Sequence, residues 1–304
     1  MLDLKRLTML REVARTGSIA AAASSLHITA SAGSQQLRML EREVGVALLE
    51  RSAQRVRLTE AGRVLVEHAV RVFAEVEAAE RAAHAVAGLR GGRLRLGSFS
   101  SAGAALLPSI MATFRRRHPD VRLSFLEIEP EDALPAVRTG DLDVAVVHRY
   151  GGLPRPELRA LQTFDLFAEP LLLAHQGEQS GDAPPVALDD FSDAEWISIV
   201  PTGGFQAVTE LACRAAGFDP LVSSRADDYS VVRQLVAHGL GVALVPRLAA
   251  LPTPGVAFRE VAEPQTTTRK VFAVARDADP SPAVADMLAL LAASTATADV
   301  SRRG

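Results

Sequence analysis

The sequence predicts an α/β protein in two parts: a small, mostly helical N-terminal unit, then a long helix leading into a two-lobed α/β region. Three observations lead there. Residues 1–58 carry helical apolar spacing, interrupted at Gly17 and around His27, and close on short β-prone runs. Residues 59–88 keep one unbroken helical pattern. From residue 93 onward strand-like and helix-like segments alternate. At 304 residues the chain has room for two or three compact units.

Asp3 is placed to cap a first helix whose apolar positions Leu4, Leu7, Leu10 and Val13 recur every three residues, and Gly17 can take the left-handed conformation that ends it. Ser18 caps a second helix, IAAAASSL, whose alanines permit close approach but provide little core volume. Leu26 and Ile28 bracket His27 at a tight turn, and Thr29 caps a third helix. On that helix Gly33, Leu37, Leu40 and Val44 share one face, while Ser31, Gln35, Arg38 and Arg42 share the opposite one. Gln and Arg on such a stripe offer bidentate groups to base edges, and the small residues at the helix start let amides and hydroxyls reach phosphates. A solvated helix face is the competing reading. The segment LLERSAQRVRLTEAG sets Arg51, Arg55 and Arg57 around β-prone runs, which fits a two-stranded wing turned toward a phosphate backbone, and Thr59 can cap the next helix through Gly62. The unit is a winged helix-turn-helix by this reading.

Along the next helix Leu65, Ala69, Val72, Val76, Ala79, Ala83 and Val86 alternate in steps of four and three, a heptad seam. It could pack on its own unit. Dimerisation is the expectation, because a DNA reader with one recognition helix gains affinity and spacing information by doubling. LRGGR, residues 89–93, supplies a hinge.

Beyond it RLRLGSF, LSFLEIE, DLDVAVV, LFAEPLLLAH, EWISIV, LVSSRA, GVALVP and TRKVFAVA are strand-like, with helical segments between them, and a mostly parallel sheet is expected. Residues 93–160 with 268–295 form one lobe and 165–264 the other, leaving 296–304 as a disordered tail. Ligands in open α/β sheets sit beyond the carboxyl ends of strands, and helix N-termini favour anions. SFSSAG (98–103) and PTGGFQ (201–206) both leave a strand and open a helix. A cleft between them would hold a small molecule through Ser98, Ser100, Ser101, Thr202 and the amides of Gly203 and Gly204, with Phe99, Phe205, His148, Arg149 and Tyr229 as neighbours. Taken singly, each serine is equally a helix cap, and His148 and Arg149 are equally solvated loop residues. Taken together, the two loops point to a small organic anion.

Composition narrows the function. Residues 1–63 hold ten Lys and Arg against six Asp and Glu, whereas residues 91–304 hold 20 against 26, which confines a nucleic-acid contact to the N-terminal end. No apolar run reaches 18 residues, and the charged start MLDLKRLTMLREVAR is no signal peptide, so a cytoplasmic protein without membrane contact is expected. The lone Cys213 excludes an intramolecular disulfide and reads as a small apolar helix residue. An enzyme finds no GxSxG, P-loop or HExxH; the seven histidines lack metal spacing, and GLGV at 239–242 lacks the third glycine of a dinucleotide fingerprint. No cofactor is expected.

The stretch GSIAAAASSLHITASAGSQQLRMLEREVGVALLERSAQRVRLTEAGRVL resembles the winged helix-turn-helix of LysR-type transcriptional regulators, and RTGDLDVAVV and LVAHGLGVALVPR are similar in order and spacing to their periplasmic-binding-protein-like effector region. The resemblance implies that Thr29, Ser31, Ser34 and Gln35 face DNA, with Arg38, Arg51, Arg55 and Arg57 nearby. It also implies a homodimer or dimer of dimers, a small-molecule effector, double-stranded DNA as partner, and RNA polymerase as a further candidate. The rival is a solute-binding protein of a transporter, which would share the two-lobed fold but require export. Two positions depart from the family pattern. Ala30 stands where Pro or Gln is frequent, and Gly33 where a larger apolar residue packs inward, so a loosened recognition helix is expected and Gly33→Val should raise the melting temperature.

Overall fold

The computed structural model describes residues 2–51, 56–86, 92–154, 156–179, 184–198, 205–262, 267–277 and 281–300, and the chain divides into two compact units, Met1–Leu89 and Arg90–Gly304.

In the first unit α1 (Leu4–Thr16) starts at Asp3, whose carboxylate accepts from the Lys5 amide at 2.8 Å, and stops at Gly17 with φ 66°. Ser18 caps α2 (Ile19–Ser25), His27 makes the turn with φ 55°, and Thr29 Oγ1 accepts from the Ala32 amide to open α3 (Ala30–Val44). These three helices enclose a core of Leu7, Met9, Leu10, Val13, Ala22, Ala23, Leu37 and Leu40, joined by Leu48 and Leu49. The wing is an antiparallel pair, β1 (Leu49–Arg51) and β2 (Val56–Leu58), with Glu50 opposite Arg57. α4 (Glu60–Val86) follows, its first turn capped by Thr59 through the Gly62 amide at 3.0 Å. Gly62 permits a close pass: a Cβ there would lie 2.2 Å from the Leu48 carbonyl oxygen.

Three expectations change here. Gly33 leaves no void, because the fully buried Met9 fills it; a Cβ on Gly33 would lie 2.7 Å from Met9 Cε and 3.3 Å from Ala23 Cβ. Val44, expected inward, is exposed at the end of α3. The seam of α4 also divides. Ala69 is buried and Leu65 half-buried against the unit's own core, with Val66 and Phe73, whereas Val72, Val76 and Ala79 are exposed. The side chains of Ala83 and Val86 lie outside the described residues.

In the second unit Gly92 and Arg93, assigned to the hinge from sequence, already belong to β3 (Gly92–Ser98). Then come α5 (Ser100–Ala105), α6 (Leu107–Arg117), β4 (Val121–Glu127), α7 (Pro130–Thr139), β5 (Val144–Tyr150) and the long β6 (Leu161–Gln176). β7 (Glu195–Ser198), α8 (Phe205–Ala215), β8 (Leu221–Arg225), α9 (Tyr229–Ala237), β9 (Ala243–Pro246), β10 (Val256–Glu260), β11 (Thr268–Arg276) and α10 (Pro282–Val300) complete it. α10 carries helix through residues 296–300, where a disordered tail was expected.

The main sheet runs β10-β6-β11-β5-β3-β4, with β9 also on β6. It is mixed where a mostly parallel sheet was expected: β3 is parallel to β4 and β5, but β11 is antiparallel to both β5 and β6. The reason lies in the connections. β6 carries the chain out of one lobe, pairing with β11 as far as Pro170 and with β9 and β10 beyond it, and β11 brings the chain back alongside. Adjacent strands running out and back pair antiparallel. β7 and β8 form a separate parallel pair, joined to β9's approach by a bridge from Trp196 to Val242. Strand alternation gives β5 two faces: Val144 and Val146 enter the core beneath α6 and α10, and Ala145 and Val147 the core beneath α7.

Candidate functional site

On α3 the residues sort by period. Gly33, Leu37 and Leu40 are buried, which turns Ser31, Gln35, Arg38 and Arg42 outward, all four exposed. Thr29 is exposed at the N-cap, its hydroxyl 3.0 Å from that of Ser31, and Ser34 is half-buried. Thr29 therefore serves the helix start while still facing outward. Arg57 is exposed on β2, and Arg51 ends β1. Arg55 lies outside the described residues. Glu41, quoted above only within the family motif, sets the wing: its Oε1 accepts from the amides of Leu48 and Leu49 at 3.0 and 3.2 Å. The Arg11 guanidinium stacks 4.8 Å over the Phe73 ring, tying α1 to α4.

In the second unit a polar constellation gathers beyond the carboxyl ends of β3, β4 and β5. Its centre is Arg269 at the start of β11, 1% exposed. Arg269 donates through Nε and Nη2 to Glu169 Oε1 on β6 at 2.8 and 2.6 Å, and through Nη2 to Ser101 Oγ at 2.9 Å. Its guanidinium lies 4.7 Å over the Phe99 ring. The second Glu169 oxygen accepts the Leu248 amide at 2.7 Å. Tyr150, at the end of β5, is hydrogen-bonded to Arg269 and to Tyr229, which opens α9. His148 stands edge-on to Phe99 at 4.6 Å and to Tyr150 at 5.0 Å, with its Nε2 3.5 Å from Glu129 Oε2.

Burial governs the protonation states. Desolvation lowers the His148 pKa to about 4 against the opposing hydrogen bond that its ring donates to Glu129, and the nearby Arg269 charge adds to the lowering. Burial raises Tyr150 to about 12 and Tyr229 well above the ordinary phenol range. Burial disfavours the Arg269 charge, but its neighbours Tyr150 and Glu169 outweigh that and raise its pKa. At neutral pH the imidazole is uncharged, both phenols keep their protons and the guanidinium is a cation.

Of the residues expected from sequence, Phe99, Ser101, His148 and Tyr229 come together here. Ser98 is fully buried, its hydroxyl donating to the Phe99 carbonyl at 3.2 Å, and Ser100 is half-buried at the start of α5. Arg149 does not join them. Alternation on β5 sends it to the opposite face, where its guanidinium lies 5.8 Å from the Phe272 ring centre. Thr202, Gly203 and Gly204 lie outside the described residues, and Phe205 opens α8. Glu169, Arg269, Tyr150 and Glu129 were not anticipated. A signal existed for the first two: EPLLL carries one charge and TRKVF two within strand-like runs, and a charge facing inward from a strand needs a partner.

Among the described residues no group of three or more His, Cys, Asp or Glu side chains is placed to hold a metal, and no helix is long and apolar enough to cross a membrane. Cys213 is buried, and burial, reinforced by Asp219 and Glu210, pushes its thiol up to about 12.

Comparison with known proteins places both units. Residues 4–63 match the bacterial regulatory helix-turn-helix protein family of LysR type, and residues 87–296 match the LysR substrate binding domain. The probable HTH-type transcriptional regulator LrrA of Synechococcus elongatus is 30% identical over 83% of this chain and 84% of its own length. A full-length OxyR variant from Pseudomonas aeruginosa superposes with a TM-score of 0.69 at 23% identity, covering 97% of this chain and 95% of that one. CbnR, solved in complex with its target DNA, gives 0.54 at 24%, covering 97% and 100%. The relatives are regulators, which leaves the transporter solute-binding alternative without support. With both halves matched, the chain belongs to the LysR-type transcriptional regulators, a family of ligand-responsive DNA-binding proteins.

Proposed function

We propose that this regulator reads duplex DNA with α3 and the wing, and changes its hold on DNA when a small molecule occupies the constellation around His148 and Arg269. The observation that carries the DNA half is the outward stripe of Ser31, Gln35 and Arg38 opposite the buried Gly33, Leu37 and Leu40, with Arg57 exposed on the wing. Gln35 and Arg38 supply base-edge donors, while Thr29, Ser31, Arg51, Arg55 and Arg57 engage phosphates. Ser34, half-buried, reaches the groove wall from the same turn.

Two copies pair through the exposed Val72, Val76 and Ala79 of α4, presenting two α3 helices to half-sites about 34 Å or a multiple apart. The assembly is such a dimer or a dimer of dimers. Such a protein works on the chromosome in the cytoplasm, without membrane contact. An effector that prefers one lobe arrangement shifts half-site spacing or DNA bend, and RNA polymerase at the same promoter is the partner that this shift reaches. The chain performs no catalysis in this reading.

The test is the salt dependence of binding to the DNA upstream of its own gene. Arg57→Ala should lower the slope of log K against log salt by about one, and Gln35→Ala should cost about 1–3 kcal/mol on that fragment while leaving bulk-DNA affinity unchanged. Equal losses on operator and bulk DNA from Gln35→Ala would remove α3 as the reading element.

A further inference from the structure

We propose that the effector is an uncharged molecule that presents an O–H or N–H donor to His148 Nδ1, in place of the organic anion expected from the sequence; this rests on the reading of the constellation as the effector site. The first argument is charge. Arg269 is the one cation among the described members of the constellation, and it is already engaged: Glu169 takes two of its hydrogens, Ser101 accepts another, and Phe99 covers its face. Arg269 and Glu169 are each 1% exposed, so the guanidinium's charge is already matched inside the protein, and a carboxylate ligand would bring a second negative charge to a neutralised pair. Glu129 adds a second carboxylate beside His148, which repels an anion. α5, on which Ser100 and Ser101 lie, is too short to supply a compensating helix dipole.

The second argument is hydrogen bonding. His148 Nε2 faces the Glu129 carboxylate and so carries the ring hydrogen, which leaves Nδ1 with a lone pair. Nδ1 is buried and has no hydrogen-bond partner among the described residues. A buried acceptor without a donor is a defect that a ligand can repair. A carboxylate brings only lone pairs to that point; an alcohol, phenol or amide brings a hydrogen. Burial keeps the imidazole neutral at pH 7, so it does not become a donor itself. The flanking rings of Phe99 and Tyr150 set an apolar body for the molecule, and the Tyr150–Tyr229 hydrogen bond links β5 to α9 beside it.

The experiment is a fragment screen on the full chain at pH 7, read by ligand-observed NMR and titration, built from matched triplets such as benzoate, benzamide and benzyl alcohol, or butyrate, butyramide and butanol. Within each binding triplet the amide or alcohol should bind and the carboxylate should not. His148→Phe should weaken the neutral member at least about ten-fold, and His148→Gln, which restores an acceptor, should recover part of that. Tighter binding of carboxylates, still lost in His148→Phe, overturns the ligand class but keeps the site. Binding that ignores His148→Phe and Tyr229→Phe alike, or no binding by any triplet, overturns the site reading as well.

Discussion

Arg269 and Glu169, 100 residues apart in sequence, meet at 2.6 Å with neither side chain more than 1% exposed. The pair joins β11 to β6, the two strands that connect the lobes, and through the Leu248 amide it also holds the segment after β9. Breaking one side of such a pair strands a charge in the interior. Glu169→Gln or Arg269→Met should each cost about 3–5 kcal/mol in urea unfolding of the second unit, whereas the double change Glu169→Leu with Arg269→Met should recover most of it. Single variants within about 0.5 kcal/mol of wild type would show that the pair is dispensable.

Gly33 was expected from sequence to loosen the recognition helix, and Gly33→Val to tighten it. The structure removes the void on which that expectation rested. Met9 fills the position, so valine overpacks the core, and the melting temperature of the chain's first transition should fall by the equivalent of about 1–3 kcal/mol. Met9→Ala in the valine background should return part of the loss, although Met9→Ala alone destabilises by about 2–5 kcal/mol. A raised melting temperature in Gly33→Val would reinstate the reading from sequence.

The first unit was legible in its caps and periods, because each helix end there is a local event: Asp3, Gly17, Ser18 and Thr29 act within three or four residues of themselves. Gly33 was misread because its partner Met9 lies on another helix. The constellation was half legible for a related reason. SFSSAG announces a loop at a strand end, but Glu169 and Arg269 acquire meaning only when β6 and β11 lie side by side. Arg149 illustrates the limit of adjacency in sequence, since a period of two sends it and His148 to opposite faces.

The α4 seam makes a position-dependent prediction. Val72 and Val76 are 42% and 36% exposed, while Ala69 is buried in the unit's own core. Val72→Asp with Val76→Asp should convert the proposed dimer to monomer in sedimentation velocity without lowering helical content. Ala69→Asp should instead unfold the first unit, because it places a charge in an apolar core. A double Asp variant that still sediments as a dimer would place the pairing surface elsewhere.

His148 makes stability depend on pH in a defined direction. Its folded pKa is lowered to about 4 from the ordinary 6.5, so the unfolded chain binds the proton more readily. Stability from this group is fully present above pH 6.5 and is lost as pH falls from 6.5 toward 4. At pH 5 the loss should be about 2 kcal/mol relative to about pH 7.5. Other groups titrate in the same interval, so the measurement is a comparison: urea unfolding of wild type and His148→Phe at both pH values. The variant lacks the ionisable ring and should lose about 2 kcal/mol less than wild type on acidification. Parallel losses in the two proteins would mean that His148 is solvated in the folded chain, and that its Nδ1 needs no ligand to satisfy it.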